Sequence, residues 1–387
     1  MAPLPNDAPV GVYIHVPFCS HICPYCDFNT YAGMEELIPA YVRALCEEID
    51  RFPQQFGSRD AATLFFGGGT PSLLSADQVG LVIEAVRSSF TLMPDAEITI
   101  EANPNHFGEK YCVDLLAAGV SRISLGAQTF DRRGLRTLGR QHEASDVFRA
   151  IDAARNAGFA NVSIDLIFGW PGQSMDVWEA DLDRILTIDP GVSHLSLYSL
   201  IVEPGTPMAE AVKRGILTPV SDDEAADFYE LACHVLARAG WVHYEIANWA
   251  IEPAFQSRHN MVYWRNGEYA GFGAGAHWRI GDIRRMNHLL PRTYIDAIDR
   301  GDRPVSNEEQ LTSRMSMGET MMLGLRLLEE GVTGAEFLAR HGVSMQQLFE
   351  SEIKDLVDQR LLIAANGRVR LSERGIMLAN EVCSRFL

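Results

Sequence analysis

The chain has 387 residues, with 33 Lys and Arg against 51 Asp and Glu and a formal net charge of −18. That acidic balance excludes bulk attraction to nucleic acid or to an anionic bilayer, although not a local basic patch. The length suits two or three domains, or one barrel-sized domain with an appendage, and a hydrophobic content of 47% fits a soluble globular chain that needs no disulfide staples.

No apolar run approaches a membrane span, and residues 1–10 lack the basic and apolar stretches of a signal peptide. The expected location is therefore the cytoplasm, where thiols stay reduced. Of seven cysteines, three fall within eight residues. Cys46, Cys112, Cys233 and Cys383 stand alone in helical-looking segments and read as small core residues.

From Gly11 to about Gly240 a short aliphatic run, a loop and an amphipathic helix recur. The runs predicted as strands are Val12–Val16, Ala62–Phe66, Glu97–Ile100, Arg122–Leu125, Val162–Ile167 and His194–Leu197. Predicted helices lie between and after them, at about Leu37–Arg51, Ala76–Phe90, Gly108–Ala118, Ala144–Asn156, Met175–Thr187 and Asp222–Ala239. This alternation predicts an α/β fold with a parallel sheet, an incomplete (β/α)6 barrel over residues 1–240. Residues 241–305, rich in aromatics and glycines, read as an irregular connecting region. Residues 306–387 read as mostly helical, with helices at Met321–Glu330, Gly334–His341 and Met345–Gln359 and a hairpin turning at Asn366-Gly367. That arrangement suggests a winged-helix-like domain. Neither the acidic balance nor any basic recognition helix supports DNA binding by it.

The first strand leads into Cys19-Ser-His-Ile-Cys23-Pro-Tyr-Cys26, a Cys-x3-Cys-x2-Cys spacing. Three thiolates close together suit soft metal or iron–sulfur chemistry, whereas a structural zinc site usually wants four ligands. Three ligands leave one iron of a [4Fe–4S] cluster open. The loop resembles that of the radical-SAM superfamily, which implies a [4Fe–4S] cluster on Cys19, Cys23 and Cys26 and S-adenosylmethionine (SAM) on the open iron.

Ligand sites in β/α barrels lie at the carboxyl ends of the strands. There the sequence places Gly67-Gly68-Gly69-Thr70, Glu101, Gln128 and Asp165. A glycine-rich turn alone is equally a tight loop. Asp165 within an apolar strand is costly without a partner. The order Tyr13, Cys19, Gly68-Gly69-Thr70, Glu101, Gln128, Arg140, Asp165 is similar to that of oxygen-independent coproporphyrinogen oxidases and their relatives. The resemblance implies that Gly68, Gly69 and Thr70 receive the methionine amino group and that Arg140 pairs with the carboxylate. It further implies that Asp165 binds the ribose hydroxyls, that Glu101, Gln128 and Tyr13 contact the cofactor, and that Tyr25 packs near the adenine.

Two departures from the oxidases stand out. They carry a cysteine two residues after the third, where this chain has Phe28, and they extend further before the first strand. Oxidase activity is therefore not expected. A second constellation, His259-Asn260-Met-Val-Tyr263-Trp264 followed by Gly271-Phe-Gly-Ala-Gly275-Ala-His277, resembles the His-Asn-x-x-Tyr-Trp motif of the HemW-type heme chaperones. That resemblance spans nearly the whole chain. It implies heme contact by His259, Asn260, Tyr263 and Trp264, with apo-hemoproteins such as respiratory enzymes as recipients and a homodimer allowed. The same residues also describe a histidine in a core aromatic cluster, and His277 is a second histidine near in sequence. The other reading, an anaerobic coproporphyrinogen III oxidase, stays open.

Overall fold

A computed structural model describes residues 8–188 and 191–387. Twelve strands form one mixed sheet: β1 (Val10–Val16), β2 (Asp60–Gly68), β3 (Thr91–Ala102), β4 (Arg122–Gln128), β5 (Asn161–Phe168), β6 (His194–Ser199), β7 (Val242–Glu245), β8 (Asn248–Ala250), β9 (Tyr269–Phe272), β10 (His277–Ile280), β11 (Ile283–Asn287) and β12 (Val305–Gln310). Their spatial order is β12-β11-β10-β9-β1-β2-β3-β4-β5-β6-β8-β7. β1 through β6 and β9 run parallel, and the flanking strands are antiparallel. The two end strands do not pair with each other, so the barrel is open, as the alternation predicted.

Alternation along each strand divides the molecule. In β1, Val10, Val12, Ile14 and Val16 are fully buried among the outer helices, while Gly11, Tyr13 and His15 point inward. The same period puts Ile98 and Ile100 outward and Glu97, Thr99 and Glu101 inward, and it puts Val162, Ile164 and Leu166 outward and Ser163 and Asp165 inward. The outer layer is a conventional apolar core closed by helices Ile38–Phe56, Ala76–Ser89, Glu109–Ala118, Ala144–Ala157, Met175–Thr187 and Asp222–Arg238. The inner face is polar and buried, which is expensive unless each group finds a partner.

Each predicted strand of the barrel is present, and β3 extends back to Thr91. The stretch that read as irregular supplies β7 to β11, a short helix at Arg258–Trp264 and another at Pro291–Asp299. Helix Met321–Glu330 is corrected: the helix runs Ser313–Gly324, capped by the Thr312 hydroxyl accepting from Met315 N. Beyond Gly324 the chain is taken up by contacts with β7, where Leu327 bridges Glu245 and Leu328 N donates to Tyr244 O.

The C-terminal region has its own apolar core, centred on Phe337, Phe349 and Phe386. It carries a three-stranded antiparallel sheet, Val332–Thr333 with Arg368–Leu371 and Leu362–Ala365. Asn366 and Gly367 both take positive φ (53° and 73°), the conformation that an Asn-Gly hairpin turn requires. Cys112 and Cys383 are buried and Cys46 and Cys233 half-buried against the cores, as expected. Among the described residues no helix is long and apolar enough to cross a membrane.

Candidate functional site

The carboxyl ends of β1 to β6 surround a cavity of about 470 Å3. Its lining brings together Cys19, Cys23, Cys26, Tyr25, Gly68, Gly69, Thr70, Glu101, Gln128, Arg140 and Asp165, with Phe28 at its edge. Residues spread over nearly 150 positions of sequence thus meet on one rim. Tyr13 is absent from the lining. It lies one layer deeper, its ring stacked on Phe65 and its hydroxyl 2.9 Å from His15 Nδ1.

The cysteine loop is held from several sides. His21 Nε2 donates to Gly139 O (2.7 Å), and the Asn29 amide donates to Ala274 O and Leu289 O (3.1 Å each). His15 Nε2 donates to Asn29 O (3.0 Å). Gly139 takes φ 66°, and a Cβ there would lie 2.4 Å from Pro24 Cδ, so the loop rests directly on this turn. Gly69 N donates to Val16 O and Thr70 N to Phe18 O (2.8 Å each), drawing the glycine turn against Cys19.

Burial raises the thiol pKa of Cys19 and Cys26, and the neighbouring thiols add to it. Bound metal reverses that preference by holding thiolates. Among the described residues no three His, Cys, Asp or Glu side chains converge as for a single ion. Three thiols ringing one cavity instead suit a cluster, which offers a separate iron to each. The Thr70 hydroxyl donates to Cys19 Sγ (3.5 Å), and Arg140 NH1 lies 3.8 Å from Cys23 Sγ.

Arg140 is anchored through NH2 to Asn103 Oδ1 (2.5 Å) and Gly126 O (2.9 Å), while its buried Nε has no partner. A guanidinium with donors to spare is suited to a carboxylate. Gln128 has φ 66°, unusual for a non-glycine residue, where the β4–β5 pairing slips by one residue. Its amide folds across Gly126, where a Cβ would lie only 2.8 Å from Gln128 Nε2. Glu101 accepts from Gly68 N (3.2 Å), and burial, then the nearby Asp165, pushes its carboxyl up to about 8. Asp165 is likewise raised by burial, against hydrogen bonds from Ser196 and Ser124 and the charge of Arg122. The floor of the cavity therefore carries acids that a cationic ligand would ionise.

The residues of the His-Asn-x-x-Tyr-Trp motif do not join this cavity. They lie on helix Arg258–Trp264, whose first turn is capped by the Ser257 hydroxyl, and His259 and Tyr263, four residues apart on it, share a face. That face is turned into the barrel. His259 is 2% exposed, with Nδ1 2.8 Å from Thr63 Oγ1 and Nε2 2.9 Å from the Tyr263 hydroxyl. Burial lowers its pKa to about 3. Trp264 lies beneath the Arg326 guanidinium (4.3 Å) at the junction with the C-terminal region, and Asn260 N closes the Ser257 cap.

Asn103, Ser124, Asn29 and His21 were not singled out from sequence. Asn103 and Ser124 had a signal, since each is polar at or near the carboxyl end of a predicted strand. Asn29 and His21 had none, because their partners are backbone carbonyls far along the chain.

Residues 13–185 match the radical SAM superfamily and residues 311–378 the HemN C-terminal domain. The heme chaperone HemW of Lactococcus lactis is 38% identical over 98% of this chain and 97% of its own length. HemW of Bacillus subtilis is 38% identical over 97% and 99%, and that of Escherichia coli 34% over 98% of each. Among solved structures, the radical SAM coproporphyrinogen III oxidase HemN of E. coli superposes with a TM-score of 0.84 at 22% identity, over 98% of this chain and 90% of that one. This last likeness concerns the fold alone.

Proposed function

The chain belongs to the HemW family of the radical SAM superfamily, and from that premise we propose that it is a cytoplasmic heme chaperone, which binds heme and passes it to apo-hemoproteins such as respiratory enzymes. The carrying observation is the end-to-end likeness to heme chaperones, which covers the barrel and the C-terminal region alike. Phe28 supports it. It stands 69% exposed at the cavity edge, where the oxidases resembled by this loop place a further thiol.

In this reading Cys19, Cys23 and Cys26 would hold a [4Fe–4S] cluster, and SAM would bind in the same cavity. Cluster and SAM together supply one-electron chemistry at the sulfonium. The chain's own part is positioning. Arg140, fixed by Asn103 and Gly126, presents its free donors to the carboxylate of the ligand. Asp165, fixed by Ser124, presents acceptors to a diol, and the Gly68–Thr70 turn lets backbone approach the amino group. Glu101 gives up its proton as a cation arrives beside it.

The test is anaerobic. Hemin titrated into cluster-loaded protein should yield a Soret band at one equivalent and transfer to an apo-hemoprotein. Coproporphyrinogen III supplied with SAM and a reductant should remain unconverted. Formation of protoporphyrinogen, or the absence of any Soret band, would reject the chaperone.

A further inference from the structure

The residues that the resemblance assigns to heme are built into the protein interior. Both ring nitrogens of His259 are engaged, and the ring lies flat against Phe65 (5.0 Å between centroids, 23° between planes) with Tyr263 edge-on. An imidazole that ligates iron needs a bare nitrogen and open space for a planar macrocycle about it. His259 has neither. Its helix does hold things together. Thr63 of β2 grips it from the barrel side. From the C-terminal side Arg326 covers Trp264, Arg265 pairs with Glu330, and Arg340 donates to the carbonyls of Arg265 and Asn266.

A second imidazole on the same inner face is open. His277 begins β10 and is exposed. Its register partner on β11 is Met286, which is half-buried, so an imidazole and a thioether stand side by side on one face. The outward face of these strands is settled by Trp278 and Arg285, which stack on one another. The turn that leads into His277 lies at the barrel mouth, where Asn29 of the cysteine loop donates to Ala274 O (3.1 Å). The pKa of His277 is lowered, by partial burial and then by Arg284, which favours the neutral ring.

Apolar surface adjoins it. Leu289 and Leu290, 48% and 51% exposed, follow β11 directly, and the Leu289 carbonyl is bound by Asn29 and Tyr31 of the cysteine loop, next to Phe28. Neutral imidazole, thioether and exposed aliphatic and aromatic side chains are what an iron porphyrin recognises and what few other ligands need together.

We propose that heme docks on the inner face of β10 and β11 beside the cysteine cavity, with His277 ligating the iron, and that His259 is a positioning residue that pins the barrel to the C-terminal region. This rests on the heme-chaperone reading, and the experiment separates the two. Hemin is titrated into the full-length protein and into His277→Ala, His259→Ala and, as a control for an exposed histidine on an outer helix, His234→Ala.

The expected result is a Soret band in the wild type that in His277→Ala shifts and weakens by at least about tenfold in affinity, with an unchanged unfolding temperature. His259→Ala should lower the unfolding temperature while binding hemin within about threefold of the wild type at a temperature where it is folded. Protection of His277 from carbethoxylation by bound hemin, read by mass spectrometry, gives the same answer in the wild type should His259→Ala not fold. If His277→Ala binds as the wild type does, or if folded His259→Ala alone loses the Soret band, the assignment is overturned. If the wild type binds no hemin, the chaperone reading falls with it.

Discussion

Replacing Gly69 by alanine should uncouple the cysteine loop from the barrel. A Cβ at this position would lie 2.6 Å from Phe18 O, 3.0 Å from Val16 O and 3.0 Å from Cys19 Sγ. Two of these are backbone oxygens at the end of β1 and cannot swing aside, so the turn itself must retreat. The hydrogen bonds from Gly69 N to Val16 O and from Thr70 N to Phe18 O stretch as it does. Overpacking of this kind costs roughly 1–3 kcal/mol, and two weakened hydrogen bonds add about 1 kcal/mol each, for a total of roughly 3–5 kcal/mol. Much of that strain falls on Cys19, the thiol the methyl group touches. The variant should reconstitute with less iron and sulfide per chain than the wild type, and its 400 nm-region absorbance should bleach faster under a chelator. Its unfolding, followed in denaturant without cluster, should shift to lower denaturant by the same amount, roughly 3–5 kcal/mol. Wild-type stability together with wild-type iron content would refute the close approach on which this reasoning rests.

Three other changes probe separate parts of the site. Arg140→Lys keeps the charge but cannot reach Asn103, Gly126 and a ligand carboxylate at once. SAM affinity measured by equilibrium dialysis should fall by about tenfold or more, with cluster content preserved. Glu48 is half-buried beneath the Gly273 turn and accepts from Tyr294, Gly273 N and Asn287, and desolvation of its carboxyl raises its pKa from 4.5 to about 7. Because the folded pKa is the higher one, stability is full below the unfolded value and is lost as pH rises through about 7, by an amount on the order of 3 kcal/mol. Urea midpoints at pH 5 and pH 8 should therefore differ less in Glu48→Gln than in the wild type. Arg326→Ala removes the cation above Trp264 and leaves buried Glu245, which sits 3.9 Å from it, without its counter-charge. Stability should drop by about 3 kcal/mol, the low end for removing one partner of a buried pair because Arg326 is partly exposed, with the loss seen as faster hydrogen exchange in residues 313–387.

The barrel was legible because each of its strands alternates aliphatic and polar positions and each is followed by an amphipathic helix. The cysteine loop was legible because its three cysteines are local in sequence. The strands beyond residue 241 were not, since β7, β8 and β9 are three or four residues long and owe their conformation to pairing, β8 with β6, β7 with β8 and β9 with β1. Helix Ser313–Gly324 was placed too late because Leu325, Leu327 and Leu328 continue its apolar spacing, although Leu327 and Leu328 pair their backbone with β7 and Leu325 packs into the C-terminal core. Tyr13 illustrates a different limit. Its position six residues before Cys19 is right for the family, yet one pleat of β1 decides whether a side chain meets the cavity or the layer beneath it.

The same limit bears on His259. Sequence supplies residue types and spacings, and a histidine followed at helical spacing by a tyrosine satisfies both a ligand and a buried hydrogen-bonded pair. The partners of the two nitrogens bear on this, and Thr63, the partner of Nδ1, lies almost two hundred residues away. Placing the iron at His277 instead brings the heme face within one side chain of the cysteine loop, because Asn29 holds both Ala274, ahead of β10, and Leu289, behind β11. A cluster seated on Cys19, Cys23 and Cys26 would fix the loop that carries Asn29, and with it the edge on which a porphyrin rests. The radical-SAM scaffold would then serve delivery through the rigidity its cluster lends to that edge, with no demand that the porphyrin itself react.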